Sequence, residues 1–288
     1  MELHSLNVPI IKRQIATNLR RYRREAGKTQ EQALACVGAS SVSKRITHLE
    51  GGRNLPSEAD IEALLVFYGR SATEVQEMQE QARAVRAAPT QRQLRLPELP
   101  ANFKQLLDLE SGAVVIRTWM PLVIDGLLQT EDYARGLMAG HVSGLSAGEV
   151  ARRVDLRMKR QEVLWRDEPS TLQAVVDEAT LRRCPSGRDV QRAQLAHLLR
   201  VSERPGITLN VIALQDPVNA ALHGAHKIVE LPIPGDPGLV WLEDRTGGRL
   251  VEDADVIDDF LDVQQMLVRA ALSEEESRAL ITKMMGEI

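Results

Sequence analysis

Aromatic residues, cysteines and long apolar runs are all scarce in this chain of 288 residues. Phenylalanine, tryptophan and tyrosine together make up 3% of it. Proteins that bind single-stranded nucleic acid stack its bases on aromatic side chains, so this composition argues against that mode of binding. No run of about 18 apolar residues occurs, and the amino-terminal sequence has no apolar signal segment. We therefore expect a cytoplasmic protein that does not enter a membrane.

The two cysteines, Cys36 and Cys184, are far apart and lack the spacing of metal ligands. Their number does not require an oxidising compartment. The sequence also lacks a nucleophile elbow, a phosphate-binding glycine loop and a Cys–His pairing. We therefore expect no catalytic residues, no metal site and no cofactor.

The charge is distributed unevenly along the chain. Residues 1–57 hold 10 Lys and Arg against 4 Asp and Glu, a balance of +6. The whole chain holds 36 against 40, so the remainder holds 26 against 36 and is acidic. A basic segment attracts the phosphates of nucleic acid. The length of the chain separately suggests about two domains.

Residues 29–57 predict two short helices joined by a tight turn. Thr29 and Gln32 have the spacing of a capping box, and Gly38 suits the left-handed residue that ends a helix. Three apolar residues at i, i+4 and i+7 would form the buried side of the second helix: Val42, Ile46 and Leu49. Its opposite side is polar, which is the geometry of a helix that enters the DNA major groove.

This geometry predicts two sets of DNA contacts. The polar side of the second helix would contact base edges through Ser43, Lys44, Arg45, Thr47 and His48. Residues at the start of the preceding helix and in the adjoining turns face the DNA backbone. We expect the phosphate contacts to come from Gln30, Arg53, Arg24 and Lys28.

The same segment resembles the phage-repressor (XRE, Cro/C1-type) helix-turn-helix family. The resemblance rests on TQEQALACVG followed by ITHLEGGRNLPS. The chain departs from the family by about two additional residues at Ala39–Val42, in the turn or the first turn of the second helix. The resemblance implies a five-helix domain, residues 1–88, that binds double-stranded DNA.

A stretch punctuated by Pro89, Pro97 and Pro100 follows and predicts a linker over residues 89–101. Beyond it, capping-box spacings begin helices at Ser146 and Ser273, and Ser186 with Asp189 predicts another cap. Branched aliphatic runs predict strands at 113–119, 171–177, 207–214, 227–231, 239–243 and 249–251. Residues 102–288 therefore predict an α+β domain with a mixed or antiparallel sheet, so the whole chain is mainly α with an α+β carboxy-terminal part.

This second part resembles the DUF5753 domain. The resemblance rests on PLVIDGLLQTEDYAR at 121–135, RMKRQ at 157–161 and VDEATLRR at 176–183, and Asp125 stands where the family usually has proline. The resemblance implies a regulator of the developmental type that works with a small DUF397-type protein. We expect the regulatory surface to include Gln129, Thr130, Tyr133, Arg157, Arg160, Gln161 and Glu178.

Several of these polar residues also have a structural interpretation. Thr130 would cap a helix, the arginines would form ion pairs at the surface or between domains, and Asp177–Glu178 would serve as a cap and an ion-pair partner. His223 and His226 have an H-x-x-H spacing, but a polar loop is the favoured interpretation because no acidic third ligand is nearby.

The sequence thus predicts a transcriptional regulator that binds double-stranded DNA as a homodimer. The apolar helix near Val256–Leu272 would supply part of the dimer contact, and the second domain would receive a signal, foremost from the DUF397-type protein. Two alternatives stay open: a repressor that senses a small molecule, and a toxin-like enzyme whose helix-turn-helix only autoregulates.

Overall fold

A computed structural model describes residues 8–37, 45–88, 99–141, 144–215, 224–243 and 247–288. The chain divides into two compact units. The first spans Met1–Arg95 together with Ile233–Asp236, and the second spans Leu96–Pro232 and Pro237–Ile288. None of the helices in the described ranges combines the length and the apolar character needed to cross a membrane.

The first unit is helical. Its described helices are α1 to α5, at Val8–Glu25, Gln30–Cys36, Arg45–Glu50, Glu58–Phe67 and Ala72–Ala87. Their apolar sides meet in one core, because each helix repeats its apolar residues at the helical period. The largest buried members are Ile15, Leu19, Ile61, Leu64 and Leu65. The expected five-helix architecture is confirmed.

The second unit combines helices with one sheet. Its described helices are α6 to α12, at Ala101–Glu110, Glu131–His141, Ala147–Arg160, Glu178–Arg182, Arg188–Ser202, Ala254–Ala270 and Glu274–Glu287. Its strands are β1 to β6, at Val115–Met120, Thr171–Asp177, Ile207–Ile212, His226–Glu230, Leu239–Leu242 and Arg249–Val251. The six predicted strands are therefore present, with small differences at their ends.

The sheet has the strand order β3-β2-β1-β4-β5-β6. Strands β1, β2 and β3 run parallel to one another, and β4, β5 and β6 are each antiparallel to the strand before them in that order. Of the two arrangements expected from the sequence, the mixed sheet is the one observed. Gly247 and Gly248, which lie between β5 and β6, have positive φ. Gly248 is also required by space, because a Cβ there would lie 2.5 Å from the ring of Trp241.

Helices cover both faces of this sheet. On one face, α11 packs Leu267 into a cluster with Trp119, Val175 and Ile212, and Ile257 into a cluster with Ile228 and Val240. Alternation along the strands places Thr118 and Lys227, which are paired in register, on the other face. There α6 contributes Phe103, whose ring centre lies 5.8 Å from that of Trp241.

Side chains fix where many of these helices begin. Capping boxes are formed by Thr29 with Gln32, Ser57 with Asp60, Ser71 with Glu74, Ser146 with Glu149 and Ser273 with Glu276. Each satisfies backbone N–H groups that the first turn of a helix leaves free. The predicted cap at Ser186 is wrong, because α10 begins after Gly187 without a side-chain cap. Ser186 instead packs its hydroxyl against Gly136 of α7, where a Cβ would clash with it.

Candidate DNA-binding site and a buried charge cluster

Helix α3 is the second helix of the helix-turn-helix. Ile46 and Leu49 are buried, with 2% and 3% of their surfaces exposed, and Thr47 is exposed between them. The predicted division into a buried and a polar side is therefore confirmed for Ile46, Leu49 and Thr47. Val42, Ser43 and Lys44 lie outside the described residues, as do Gly38 and the additional residues at Ala39–Val42. Arg45 begins α3, but its side chain is also outside the described set.

Glu50, the last residue of α3, is a buried carboxylate that joins three helices. Arg23 of α1 donates to it from two nitrogens, Nε to Oε1 at 2.6 Å and Nη2 to Oε2 at 2.9 Å. Gln30 of α2 donates from Nε2 to Oε2 at 3.2 Å. The hydrogen bond to Glu50 is the largest of the effects that raise the pKa of Arg23, and burial only partly opposes it. The carboxylate therefore holds α1 and α2 against the end of α3.

Gln30 is held by this carboxylate rather than standing alone at the surface. Its Oε1 lies 3.4 Å from the hydroxyl of Thr47, which donates to it. The amide of Gln30 thus lies between Glu50 and Thr47, and both Gln30 and Thr47 are exposed. The structure therefore brings together Gln30, a predicted phosphate contact at the start of α2, and Thr47, a predicted base contact on the outer side of α3.

The other predicted contacts in this unit occupy different environments. Arg24 and Arg53 are exposed, and the backbone oxygen of Arg53 accepts from Lys12 Nζ at 3.1 Å. Lys28 is partly buried, with its ammonium 5.0 Å from the ring centre of Phe67. His48 is partly buried, and its backbone oxygen accepts from the N–H groups of Arg53 and Asn54. The turn after α3 is therefore fixed by hydrogen bonds to the backbone of His48.

Sequence reasoning missed the roles of Arg23 and Glu50. A usable sequence signal is that Ile46, Leu49 and Glu50 stand at i, i+3 and i+4, which places Glu50 on the buried side of the helix. A carboxylate at a buried helical position needs a cation, and α1 supplies arginines at the facing turn.

A second buried charge cluster lies in the second unit. Glu110, at the end of α6, is 2% exposed. Arg160 of α8 donates to both of its oxygens, from Nε at 2.8 Å and from Nη2 at 3.0 Å. Lys227 of β4 donates to Oε2 of the same carboxylate at 2.9 Å. The surface or interdomain ion pair expected for Arg160 is therefore wrong, because its partner is buried inside the same unit.

Asp125 extends this cluster toward the loop after β1. Its carboxylate lies 3.1 Å from Lys227 Nζ, and it accepts from the N–H of Leu127 at 2.8 Å. It thereby begins the short 3-10 helix Gly126–Leu128. Proline is expected at this position from the family pattern, and proline has neither the charge nor the acceptor that Asp125 supplies here.

Two glutamines fix the backbone beside the cluster. Gln129 Nε2 donates to the oxygen of Ile124 at 2.6 Å, and Gln161 Nε2 donates to the oxygens of Gly126 and Gln129 at 3.0 and 2.7 Å. Arg157 Nη1 donates to Gln129 Oε1 at 2.8 Å. The structure therefore brings together four of the predicted regulatory residues: Gln129, Arg157, Arg160 and Gln161.

The remaining predicted regulatory residues have other partners. Thr130 accepts from the N–H of Tyr133 and so caps α7, as the structural interpretation expected. Tyr133 is 1% exposed, and burial raises the pKa of its phenol. Glu178 accepts from Arg182 at 2.6 Å and from the N–H of Leu214 at 3.0 Å. Burial is the largest influence on the pKa of Glu178 and acts to raise it, but these two hydrogen bonds outweigh burial and lower it.

Two opposing effects set the pKa values in the cluster. Burial disfavours the charged form of each group, and a nearby opposite charge favours it. Burial alone would raise the pKa of Glu110, but the charges and hydrogen bonds of Arg160 and Lys227 outweigh it and lower the pKa to about 2. For Arg157 burial is again the largest cause, and it lowers the pKa to about 10, with repulsion from Arg160 acting in the same direction. Asp125, Glu243 and Glu110 only partly oppose that shift.

Metal-ligating side chains do not gather anywhere in the described ranges: no three of His, Cys, Asp and Glu are placed to hold an ion. His223 lies outside those ranges. The polar loop expected for His226 is wrong. This residue is fully buried in β4, with Nε2 3.1 Å from Gln264 Oε1. Asp177 caps α9 through the N–H of Ala179, which confirms the structural interpretation of the Asp177–Glu178 pair.

Comparison with protein-family models gave two matches. A model described as a domain of unknown function, DUF5753, matches residues 103–283. The chain belongs to the DUF5753 family. A second model, described as a helix-turn-helix domain, matches residues 14–78 and covers α2 and α3. No curated protein and no solved structure matched the chain.

The helix-turn-helix match lies within the first unit, and the DUF5753 match lies in the second unit apart from Ile233–Asp236, which belong to the first. The helix-turn-helix domain contains the Glu50 cluster, and the DUF5753 domain contains the Glu110 cluster. A helix-turn-helix domain indicates DNA binding, which makes DNA the implied partner and transcriptional regulation the implied role. The resemblance to the DUF5753 domain is thereby confirmed, and the amino-terminal resemblance is confirmed as that of a helix-turn-helix domain.

The first prediction concerns the ion pair in the helix-turn-helix domain. Glu50→Ala leaves the Arg23 guanidinium buried, where only 11% of its side chain is exposed, without its carboxylate. Breaking one partner of a buried pair costs roughly 3–5 kcal/mol, so this variant should unfold at much lower urea. Glu25→Ala is the matched control, because Glu25 is 45% exposed and pairs with Arg70 at the surface, where about 1 kcal/mol or less is expected. Equal losses in the two variants, measured by circular dichroism, would contradict the role given to Glu50.

The second prediction concerns the pH dependence of the DUF5753 domain. The pKa of Glu110 falls from its ordinary 4.5 to about 2 on folding. A group whose folded pKa is depressed contributes its stability fully above the unfolded value and loses it as the pH falls through the folded value. Glu110→Gln should therefore lower stability at neutral pH and flatten the loss between pH 4.5 and about 2. Glu131→Gln, on an exposed position of α7, is the control, and an unchanged acid profile in Glu110→Gln would count against this account.

Proposed function

We propose that this protein is a sequence-specific DNA-binding transcriptional regulator. The observation that carries the proposal is the helix-turn-helix of α2 and α3, with Thr47 exposed on the outer side of α3 and Gln30 exposed at the start of α2. Glu50 and Arg23 hold these two helices in one arrangement, which a surface that reads bases requires.

The base contacts in this proposal come from the outer side of α3 and the residues just before it. Thr47 and Arg45 are the central candidates, with Ser43, Lys44 and His48. Gln30 has a dual position, because its amide is bonded to Glu50 and Thr47. In this arrangement its hydrogen bonds orient Thr47, so we assign it a positioning role in addition to the phosphate contact. Arg24, Lys28 and Arg53 remain the other candidates for phosphate contacts.

The regulator would act as a homodimer. A single helix-turn-helix reads a short half-site, and two-fold symmetry lets a dimer read two half-sites about one helical turn apart. Helix α11 is the candidate for part of the contact, since Val256 and Met266 are 38% and 51% exposed on it. The mass of the free protein and the number of protomers per operator test this assignment.

The DUF5753 domain would receive the signal that changes DNA affinity. A ligand can change that affinity only by binding unequally to the DNA-competent and incompetent states. The family resemblance names a small DUF397-type protein as its source, and we regard the domain as regulatory rather than enzymatic. A small molecule is the second candidate, and the position of Arg157 favours it, because this partly buried guanidinium has a neutral amide as its hydrogen-bond partner.

The third prediction tests DNA binding itself. The purified protein should bind duplex DNA from its own promoter region with an affinity that falls steeply as salt rises, because each neutralised phosphate releases counterions. Fluorescence anisotropy over a range of salt concentrations measures the slope. An affinity independent of salt, or equal affinity for promoter and random DNA, would defeat the proposal.

The fourth prediction separates phosphate contacts from base contacts. Arg53→Ala should weaken binding to all sequences alike and reduce the salt slope by about one. Thr47→Ala should cost about 1–3 kcal/mol on the preferred operator and relax specificity at one position. The two variants are compared on the operator and on its single-base mutants. If Arg53→Ala changed specificity while Thr47→Ala did not, the two assignments would be reversed.

A further inference from the structure

Arg157 and Arg160 lie one helical turn apart at the end of α8, yet their partners differ in charge. Arg160 donates through two nitrogens to the carboxylate of Glu110. Arg157 donates through Nη1 to the neutral amide oxygen of Gln129, the one acceptor it has among the described residues. A guanidinium has five N–H donors, so most of the hydrogen-bonding capacity of Arg157 is left for another group.

Among the residues that the structure describes, the carboxylates near Arg157 only partly compensate its charge. The cluster holds three cations, Arg157, Arg160 and Lys227, and its two buried carboxylates are bonded to the other two cations. Glu243 also acts on Arg157, but it is exposed, and water weakens its effect. The lowered pKa of Arg157 agrees with this geometry, because burial and the neighbouring Arg160 together outweigh the carboxylates.

The position of the guanidinium allows a ligand to reach it. Arg157 is partly exposed, and no nitrogen of its guanidinium is both buried and without a partner among the described residues, so the nitrogens other than Nη1 reach solvent. Its Cδ, Nε and Nη1 lie against Gly126, where a Cβ would come within 2.9–3.1 Å of all three. The hydrogen bond that Arg157 donates to Gln129 fixes the orientation of the guanidinium, and the absence of a side chain at Gly126 leaves room for it in that orientation. A fixed planar guanidinium favours a ligand with two oxygens in one plane.

We propose that Arg157 forms the centre of a binding site for a small oxyanion, a molecule that carries a carboxylate or a phosphate group. The anion would accept hydrogen bonds from the guanidinium and supply the negative charge that the cluster lacks. This inference rests on the proposed function, since it names the class of signal that the DUF5753 domain would receive.

The test uses the full chain and contains no DNA. Thermal unfolding is followed in sodium phosphate, sodium succinate and sodium chloride at equal ionic strength, and calorimetric titration gives the dissociation constants. At a concentration about one hundred times its dissociation constant, the bound anion should raise the unfolding midpoint by roughly 5–10 °C over chloride. A shift with phosphate alone identifies a phosphorylated ligand, and a shift with succinate alone identifies a carboxylate.

Variants show whether the shift comes from this site. Arg157→Gln should abolish it, Arg157→Lys should reduce it, and Arg135→Gln, an exposed position on α7 paired with Glu131, should retain it. In chloride, Arg157→Gln should unfold at the temperature of the wild type or above it, because it removes a buried charge that has a neutral partner. A purely structural arginine would instead give a variant that unfolds earlier.

Three results would overturn the inference: no shift with either anion, an equal shift in Arg157→Gln, or earlier unfolding of Arg157→Gln in chloride. The basic helix-turn-helix domain also attracts anions, and the comparison between Arg157→Gln and Arg135→Gln removes its contribution. If the protein binds its operator but no anion shifts its unfolding midpoint, this inference alone fails. If an anion shifts the midpoint but the protein binds no operator, the proposed function alone fails.

Discussion

The ion pair between Glu50 and Arg23 is the interaction on which the helix-turn-helix depends. Helices of seven and six residues, α2 and α3, are too short to be stable alone, so tertiary contacts must hold them. The apolar core supplies most of the stability, but apolar contacts are not directional. The carboxylate of Glu50 adds direction, because its oxygens accept from Arg23 on α1 and Gln30 on α2 at defined angles. Thr47 is oriented through that same Gln30.

The DUF5753 domain also contains a buried carboxylate that joins several elements. Glu110 pairs with the guanidinium of Arg160 on α8 and the ammonium of Lys227 on β4, and so joins a helix and a strand to the end of α6. Buried ion pairs are weak contributors to net stability, since removing charges from water offsets much of their attraction, but they are costly to break. They select one arrangement over others. Arg157 differs from Arg160 and Lys227 because its hydrogen-bond partner is neutral. An added anion would therefore change the charge balance of the cluster at this position.

Local signals in the sequence predicted a large part of the fold. The capping boxes at Thr29, Ser146 and Ser273 form as expected, because a cap needs only residues within one turn. The buried side of α3 and the six strands follow from apolar periodicity in the same way. Partners of charged residues were not predictable: Glu110 meets Arg160 and Lys227 across 50 and 117 positions of sequence. His226 and Ser186 were misassigned for that reason, since tertiary packing fixes both.

Genome-wide mapping of DNA bound by the protein in its own cells tests the central claim most directly. The account predicts discrete sites, a shared and roughly two-fold symmetric sequence beneath them, and loss of those sites when Glu50 is replaced by alanine in a protein kept at equal abundance. Bound DNA spread without a common sequence, or sites unchanged in the Glu50→Ala cells, would contradict it.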